Sequence, residues 1–360
     1  MQMRPIRTYL LILVIFLAAA CEQASDTPAP KAADESPVQD TREATRIFWE
    51  AGKDVLSATL QRAQQLQQLT HTFLKLPTED SLTTLRDHWF HVQAQWQRFY
   101  FFSQLGVSQP VIFGQLAEYS FRIAAHPIQP GYLDYFGPYP YSGLVHDISV
   151  PLTPESLLNQ HGMTDPEDVT LGIYAIEFLL NGEQLKRPAS DYNAVTQLSA
   201  AQQEQGFRQV NETPNYRRRE LLSVQMELLV RSLTELKALW ESEAEASLLH
   251  AWQTLEPDQQ HAAITNNLER ALTQLLLDIV AATPAEAGTE VEPRYDSSLS
   301  PAALAGSIRA LNAAGAWLPP QKQQALKDCL QLSAEAVNSA QTREDWSAVY
   351  QHLKSCLITP

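Results

Sequence analysis

The amino-acid sequence predicts an all-α protein of two four-helix-bundle-like domains, and two observations support this prediction. Apolar residues recur at the three- and four-residue spacing of helix faces almost throughout the chain from Thr41 onwards. A short Arg-acid-x-Trp-x-x-Val pattern occurs twice, at Arg86 and at Arg343, each time where the second helix of a hairpin is expected to begin. The repeat indicates that residues 41–210 and 211–360 are divergent copies of one bundle.

Breaks in the apolar pattern, mostly at proline and glycine, divide the chain into helices. A polar loop with little secondary-structure signal is expected from Glu183 to Pro214. The expected helices are Thr41–Leu76, Ser81–Leu105, Val111–Ile123, Asp165–Asn181, Tyr216–Trp240, Asp258–Ala281, Pro301–Ala314, Pro320–Ala340 and Arg343–Leu357.

Residues 1–21 have the pattern of an export signal. Two arginines precede an unbroken apolar run from Leu10 to Leu17, and three alanines then lead to Cys21, an arrangement that resembles a bacterial lipobox. The apolar run is too short to span a membrane. We therefore expect Cys21 to be the lipidated first residue of the mature chain, exposed to the periplasm, and an ordinary signal peptide with an incidental cysteine is the alternative. Glu22, where aspartate would mark retention in the inner membrane, favours the outer membrane.

The composition of the tether and the net charge of the chain limit which partners are expected. Residues 22–40 are rich in Ala, Pro, Asp, Glu and Ser without an apolar pattern, which is typical of a flexible tether. The chain carries 41 acidic against 26 basic residues, a net charge of −15, and nothing in it resembles a basic stripe. Nucleic acid is therefore not expected as a partner. The expected contacts are the membrane, through the lipid, and an envelope protein.

The stretch from Thr164 to Gly182 organises the first bundle. Asp165 is a good N-cap and Pro166 suits the first helical position, so about four turns of helix are expected to run to Gly182, which can close the helix in a left-handed conformation. The interior is apolar nearly all round, which is typical of a buried helix. Gly172 leaves room for a neighbouring helix or a ligand to approach closely.

One strip of this helix is polar, formed by Thr170, Tyr174, Glu177 and Asn181. A carboxylate buried among leucines needs a cation, a metal or several hydrogen bonds. One reading is that Glu177 is structural and is paired with an arginine of another helix. The other reading is that Tyr174 and Glu177, one turn apart, point into a site and reach one ion or one anionic ligand.

Two further segments bear on that site. The loop from His126 to Leu152 holds five prolines and five aromatic residues, which indicates an ordered loop that either serves function or plugs one end of the bundle. Arginines 217–219 crowd the first turn of a helix, where the dipole disfavours them unless an anion is near. Such a run is usually a solvated face, but Arg218 is the best local candidate to neutralise Glu177 or to hold an anionic ligand in a bidentate manner.

At Gly172–Gly182 the sequence G-I-Y-A-I-E-F-L-L-N-G resembles the G-x-H-x-x-E-(F/Y)-L-L signature of the imelysin family, bacterial cell-envelope proteins once described as insulin-cleaving metallopeptidases. Gly172 and Glu177 match the signature, and Tyr174 replaces the family's histidine. The resemblance implies a metal site at Glu177 and at position 174. A phenolate oxygen in place of an imidazole nitrogen favours hard ferric iron over zinc.

The resemblance extends beyond this helix. The element P-x-x-P-G-Y-x-D-Y contains Tyr132 and Asp134, and a tryptophan often stands in the family where His126 stands here. An acidic residue, an arginine, an aromatic residue and a serine in a later loop correspond loosely to Glu292, Arg294 and their neighbours. The resemblance therefore implies a ligand pocket that includes Gly172, His126, Tyr132, Asp134, Glu292 and Arg294, and the arginine run adds Arg218 as a further candidate.

Cys329 and Cys356 lie at similar depths on either side of the turn near Gln341. In an antiparallel helical hairpin the two thiols would face each other, and the periplasm would oxidise them. A disulfide is therefore expected, with two reduced, packed cysteines as the alternative.

The motifs of common hydrolases and nucleotide-binding proteins, such as H-E-x-x-H, G-x-S-x-G and the Walker loop, do not occur in the sequence. The leading functional prediction is a non-catalytic envelope lipoprotein of the periplasmic side that binds iron or an iron-bearing ligand in iron acquisition, as the family association implies. One alternative is a metallopeptidase, for which a zinc site needs three protein ligands and a base. The other is a metal-free module whose aromatic loop contacts an envelope protein.

Overall fold

The computed structural model describes residues 37–183, 186–285, 300–317 and 320–357. These residues are mostly helical and form no β-sheet, and a single isolated bridge joins Phe136 and Tyr139. The predicted all-α class is therefore confirmed for the part of the chain that is described. Cys21, most of the predicted tether and the predicted pocket residues Glu292 and Arg294 lie outside the described residues.

Helices follow one another in chain order, and many of them begin with proline, whose fixed φ and missing N–H suit the first helical position. They are α1 Pro37–Lys75, α2 Glu79–Ser103, α3 Leu105–Ser108, α4 Pro110–Ala124, α5 Pro130–Leu133, α6 Pro154–Gln160, α7 Ile173–Asn181, α8 Ala200–Glu204, α9 Pro214–Glu241, α10 Leu248–Gln253, α11 Pro257–Ala282, α12 Pro301–Ala314, α13 Pro320–Ser339 and α14 Arg343–Leu357.

The long helices α1, α2 and α9 surround the core of the first half. Helix α1 packs against α2 and α9, and α7 lies between α2 and α9. Two tryptophans lock α1 to α9, because the rings of Trp49 and Trp240 stack 3.9 Å apart. Each indole N–H also donates to the other residue's carbonyl oxygen, at 3.2 and 3.1 Å. The stacked pair is therefore buried with both of its polar groups satisfied.

Helices from the two predicted domains contact each other extensively. Helix α9 packs against α1, α4 and α7, while α11 contacts α1 and α3, and α12 contacts α2. The ring of Phe48 in α1 lies 5.2 Å from Trp252 and 5.6 Å from Trp317, so aromatic residues of both halves share one cluster. The division at residue 210 and the proposed duplication stay predictions.

The organising helix is shorter than the sequence pattern predicts. Helix α7 spans nine residues, and Gly172 occupies its N-cap position instead of Asp165. Gly172 has a φ of +91°, which interrupts any helix that continues from the preceding segment. The Asp165 carboxylate accepts a hydrogen bond from the N–H of Glu167 in a turn instead. Thr170 therefore lies outside the helix, and the prediction that it belongs to the polar strip of this helix is wrong.

The last two helices form a hairpin that carries both cysteines of the predicted pair. Cys329 in α13 and Cys356 in α14 are joined by a disulfide, with their Cα atoms 5.9 Å apart. The covalent link closes the end of the hairpin opposite its turn. None of the described helices combines the length and the apolar character needed to cross a membrane.

Candidate functional site

Helix α7 is held at both ends by side chains of α2. The indole N–H of Trp89 donates to the carbonyl oxygen of Ile173 at 2.7 Å. The guanidinium of Arg86 donates to the carbonyl oxygens of Leu180 and Arg187 at 2.9 and 2.7 Å. A cation at the C-terminal carbonyls of a helix is favoured by the helix dipole. The short helix is therefore fixed in position, together with the side chains of its first turn.

Gly172 brings α7 against the end of α4. A Cβ atom at position 172 would lie 2.6 Å from the carbonyl oxygen of Ile123 and 2.9 Å from that of Arg122. The positive φ and this close approach both require glycine. The expected close approach is therefore made by a neighbouring helix, and Gly172 shapes the site without lining it.

Tyr174 in the first turn of α7 is 3% exposed and borders a cleft. Its phenol oxygen accepts a hydrogen bond from the side-chain amide Nε2 of Gln97 at 3.0 Å. Its ring lies 5.0 Å from the imidazole of His126, measured between ring centroids. Two residues that the sequence singles out therefore meet in one place, together with a glutamine that it does not single out.

The hydrogen bond of His126 defines which of its nitrogens carries the lone pair. Nδ1 lies 3.1 Å from the carbonyl oxygen of Ala124. Because a carbonyl only accepts, Nδ1 is the protonated nitrogen, and Nε2 of the neutral ring holds the lone pair. Metal-binding histidines commonly have one nitrogen anchored in this manner.

The cleft has a volume of about 860 Å³ and is lined by residues of both halves of the chain, from α2, α3, α4, α7, α11 and α12. Most of its polar groups are uncharged amides and hydroxyls, and the charged residues on its wall are Glu269, Arg270 and Asp278 of α11. Burial, followed by the nearby carboxylate of Asp278, strongly raises the pKa of Tyr100, which therefore stays a neutral phenol in the cleft. A cleft of this size suits a small-molecule ligand.

Glu177 is 2% exposed and lies three residues after Tyr174 on the same helix. It is not among the residues that line the cleft. The expected pairing of Glu177 with Arg218 is wrong, because the guanidinium of Arg218 is engaged by Asp134. The prediction that Tyr174 and Glu177 serve one ligand stays a prediction.

Asp134 is fully buried at the centre of an ion-pair cluster. Arg218 donates from Nε to Oδ2 at 2.6 Å and from Nη2 to Oδ1 at 3.1 Å, and Nη1 of Arg187 lies 2.8 Å from Oδ2. The imidazole Nε2 of His146 lies 3.3 Å from Oδ1. Burial alone would raise the pKa of Asp134. The charge of Arg187, the contact with His146 and the charge and hydrogen bonds of Arg218 together lower this pKa far below its ordinary value.

Arg187 is a member of this cluster that the sequence does not reveal. Its side chain is completely buried, and its Nη1 also lies 3.2 Å from Asp191. The guanidinium stands over the rings of Tyr135 and Phe178, at 5.1 and 5.8 Å from their centroids. Arg187 belongs to a segment whose sequence shows no helical period, and only the fold brings it to Asp134.

Arg217 clamps the aromatic loop. Its guanidinium donates to the carbonyl oxygens of Leu144, Val145, Asp147 and Val150 at distances of 2.7 to 3.3 Å. Arg219 donates to the carbonyl oxygen of Tyr192 at 2.6 Å. The arginine run is therefore a structural clamp and not a solvated face. The unfavourable position of three arginines at a helix start was the available signal that acceptors lie nearby.

Tyr132 does not line the cleft. Its hydroxyl lies 3.4 Å from Oε1 of Gln160, to which it donates. Asp134 and Arg218 also belong to the buried cluster and not to the cleft wall. The predicted ligand pocket is thus divided between two places, with Tyr174 and His126 at the cleft and Asp134 and Arg218 in the ion-pair cluster.

Tyr174 offers an oxygen and His126 an imidazole nitrogen at the cleft, two types of donor atom that metal ions accept. Within the described ranges, no group of three or more His, Cys, Asp or Glu side chains is close enough together to hold a metal ion.

The protein is thus all-α in its described part, with a tyrosine and a histidine side by side at the wall of a cleft. Residues 53–356 match the family model described as imelysin, peptidase M75. The chain therefore belongs to the imelysin family, as its Gly172–Gly182 signature indicates. A comparison with curated proteins finds no match.

Proposed function

We propose that this imelysin-family protein is a non-catalytic lipoprotein of the cell envelope that binds ferric iron or an iron-bearing ligand in its cleft and serves iron acquisition. The observation that carries the proposal is the placement of the Tyr174 phenol oxygen at the cleft wall beside the imidazole of His126. The anchor is Cys21 and the site of action is the periplasmic side of the outer membrane.

The chemistry of the two side chains supports iron over zinc. A deprotonated tyrosine is a hard, anionic oxygen donor that prefers ferric iron, and the lone pair of His126 Nε2 provides a second donor. Glu177, one turn along α7 from Tyr174 and set back from the cleft wall, is proposed as a further oxygen ligand. When bound, ferric iron would supply the positive charge that these donor groups hold together. The residues themselves select and orient the ligand.

The size of the cleft supports a chelated form of iron. A cleft of about 860 Å³ is in the range of sites for drug-sized molecules and is far larger than an ion requires. The amide and hydroxyl groups on its wall can bind the organic part of such a ligand by hydrogen bonds. The net negative charge of the chain attracts cations over a long range.

A metal-free interaction module is the second candidate function. The side chains of Tyr139 and Tyr141 are 70% and 81% exposed at the tip of the aromatic loop, whose base Arg217 holds in place. Exposed tyrosines on a rigid loop are typical of protein-binding surfaces. The metallopeptidase alternative rests on family membership alone.

Titration of the purified protein with ferric citrate, with zinc and copper in parallel, tests the proposal. We expect one ferric ion per chain and a visible charge-transfer band from the Tyr174 phenolate. Tyr174→Phe should abolish the band, and His126→Gln and Glu177→Gln should weaken binding at least about tenfold, in line with the loss of one ligand. Tyr132→Phe is the matched control, because its hydroxyl lies outside the cleft.

Three outcomes would contradict the proposal. Ferric binding that is unchanged in Tyr174→Phe would place the metal elsewhere. A lack of stoichiometric ferric binding would favour the interaction module. Cleavage of an unfolded substrate that depends on added metal and on Glu177 would favour the peptidase.

The anchor is tested separately by labelling cells with a fatty acid. The label should be incorporated into the protein and lost in Cys21→Ser. Retention of the label in Cys21→Ser would show that Cys21 is not the lipidated residue.

A further inference from the structure

We infer that Gln97 is a positioning residue for Tyr174, and that Ser307 of α12 orients the Gln97 side chain for this role. The inference rests on the proposed function of Tyr174 as an iron ligand. It adds an amide side chain to the site and links the site to a helix in the other half of the chain.

A chain of hydrogen bonds connects three helices at the cleft wall. The hydroxyl of Ser307 in α12 donates to Oε1 of Gln97 in α2 at 3.2 Å, and shares this proton with the carbonyl oxygen of Ala303, also at 3.2 Å. Nε2 of Gln97 then donates to the phenol oxygen of Tyr174 in α7 at 3.0 Å. All three of Ser307, Gln97 and Tyr174 line the cleft.

The direction of these bonds determines what Gln97 does. A carboxamide has one donor end and one acceptor end. The acceptor end, Oε1, faces the Ser307 hydroxyl, and the donor end, Nε2, faces Tyr174. A donor aimed at the phenol oxygen fixes the position of that oxygen at the cleft wall. Gln97 therefore prepares Tyr174 to meet a cation without touching the cation itself.

Ser307 makes this arrangement dependent on α12. Without the Ser307 hydroxyl, the Gln97 amide can rotate by half a turn and offer its oxygen to the hydroxyl of neutral Tyr174. In that rotated state the phenol oxygen loses the N–H that holds it in place. A small change at α12 thus reaches the proposed iron ligand through one side chain.

Iron binding tests the inference first. Outer-shell partners of metal ligands typically contribute tenfold to hundredfold in affinity. We therefore expect Gln97→Leu to weaken ferric binding about tenfold and to move the phenolate charge-transfer band. Ser307→Ala should have the same effects to a smaller extent, and Ser307→Thr, which keeps the hydroxyl, should restore both. Gln104→Leu is the matched control, because Gln104 lines the same cleft but contacts the carbonyl oxygen of Tyr100.

A measurement without iron separates failure of the inference from failure of the proposed function. The side-chain amide signal of Gln97 in a ¹⁵N–¹H spectrum is identified by its loss in Gln97→Leu. This signal should move in Tyr174→Phe and in Ser307→Ala and should stay in place in Tyr132→Phe. If the signal moves as expected but the protein binds no iron, the hydrogen-bond chain stands and the function is wrong.

Two results would overturn the inference. One is ferric affinity and a charge-transfer band that are the same in Gln97→Leu, Ser307→Ala and the unaltered protein. The other is a Gln97 amide signal that does not respond to Tyr174→Phe. Ser307→Ala removes a single oxygen atom from a half-buried position, so it keeps the test decisive if Gln97→Leu does not fold.

Discussion

Arg218 binds Asp134 through two parallel hydrogen bonds, Nε to Oδ2 at 2.6 Å and Nη2 to Oδ1 at 3.1 Å, and both side chains are buried. This pair joins the start of α9 to the aromatic loop, 84 residues earlier in the chain. Arg187 adds a third contact at 2.8 Å. Buried ion pairs therefore attach the loop to the helical body. If one partner is removed, the charge of the other stays buried without water around it.

Asp134→Asn should destabilise the protein by about 3–5 kcal/mol, because it leaves two buried guanidinium groups without their shared carboxylate. The free energy of unfolding in urea is the measurement. Asp191→Asn is the control, since the partly exposed Asp191 side chain touches only Arg187 in the ion-pair cluster, and the backbone carbonyl through which Asp191 contacts Arg218 is kept in the variant. It should cost no more than about 1 kcal/mol. Equal effects of the two substitutions would show that the buried pair is not the main attachment of the loop.

The stabilisation from Asp134 should depend on pH in a defined direction. Its pKa in the folded state lies well below the ordinary value of 3.8. The unfolded chain therefore binds the proton first, and the stabilisation is fully present above about pH 4 and is lost as the pH falls towards the lowered pKa. The difference in unfolding free energy between the unaltered protein and Asp134→Asn should be constant from pH 5 to pH 8 and shrink below pH 4. A difference that shrinks above pH 5 would contradict this assignment.

Gly172→Ala should destabilise the protein by roughly 2–4 kcal/mol, because the new methyl group meets the carbonyl oxygen of Ile123 and a φ of +91° strains any other residue. Thermal or urea unfolding measures the loss. Gly306→Ala is the matched control, since Gly306 lies inside α12 with open space at its Cβ position. That substitution should stabilise the protein by about 0.5–1 kcal/mol. A neutral Gly172→Ala would mean that α7 can move away from α4.

Arg217→Met should release the aromatic loop, since four carbonyl oxygens lose a common donor. We expect a loss of roughly 2–4 kcal/mol in stability and faster limited proteolysis between residues 136 and 150. Arg219→Met, which removes one bond to Tyr192, should leave the rate of loop cleavage nearly unchanged. Cleavage of the loop at the original rate in Arg217→Met would show that Asp134 and Arg218 hold the loop without help.

The disulfide joins Cys329 and Cys356, which are separated by 27 positions in the sequence. It should contribute about 3 kcal/mol to the free energy of unfolding. Reduction with dithiothreitol should lower the urea midpoint of the unaltered protein. The double variant Cys329→Ala and Cys356→Ala should start at the lowered midpoint and not respond to the reductant. An unaltered midpoint after complete reduction would show that helix packing alone holds the hairpin.

Local pattern predicted most of the helices. The predicted ranges Ser81–Leu105, Val111–Ile123 and Asp258–Ala281 lie within two residues of α2, α4 and α11 at each end. Apolar periodicity marks such helices because each buries one face along its whole length. The first helix begins at Pro37, inside the predicted tether, because a polar first turn shows no apolar period.

The candidate site was predicted in part. Tyr174 and His126 were singled out from the sequence, and the fold brings their rings together. Gln97 and Arg187 were not, because a glutamine on an amphipathic helix and an arginine in an irregular segment carry no local signal of burial. Arg218 was recognised as the arginine that would meet a buried carboxylate, but the carboxylate is Asp134 and not Glu177.

The sequence by itself determined the helical class, the family and the pair of cysteines that lie at equal depth in a hairpin, since each is encoded in spacing along a short stretch of chain. The tertiary structure alone decided where α7 begins, which arginine meets which carboxylate and which side chain donates a hydrogen bond to Tyr174. These contacts join residues far apart in the chain, such as Asp134 to Arg218 and Gln97 to Ser307. Their energy depends on distance, direction and exclusion of water, which exist only once the helices have packed.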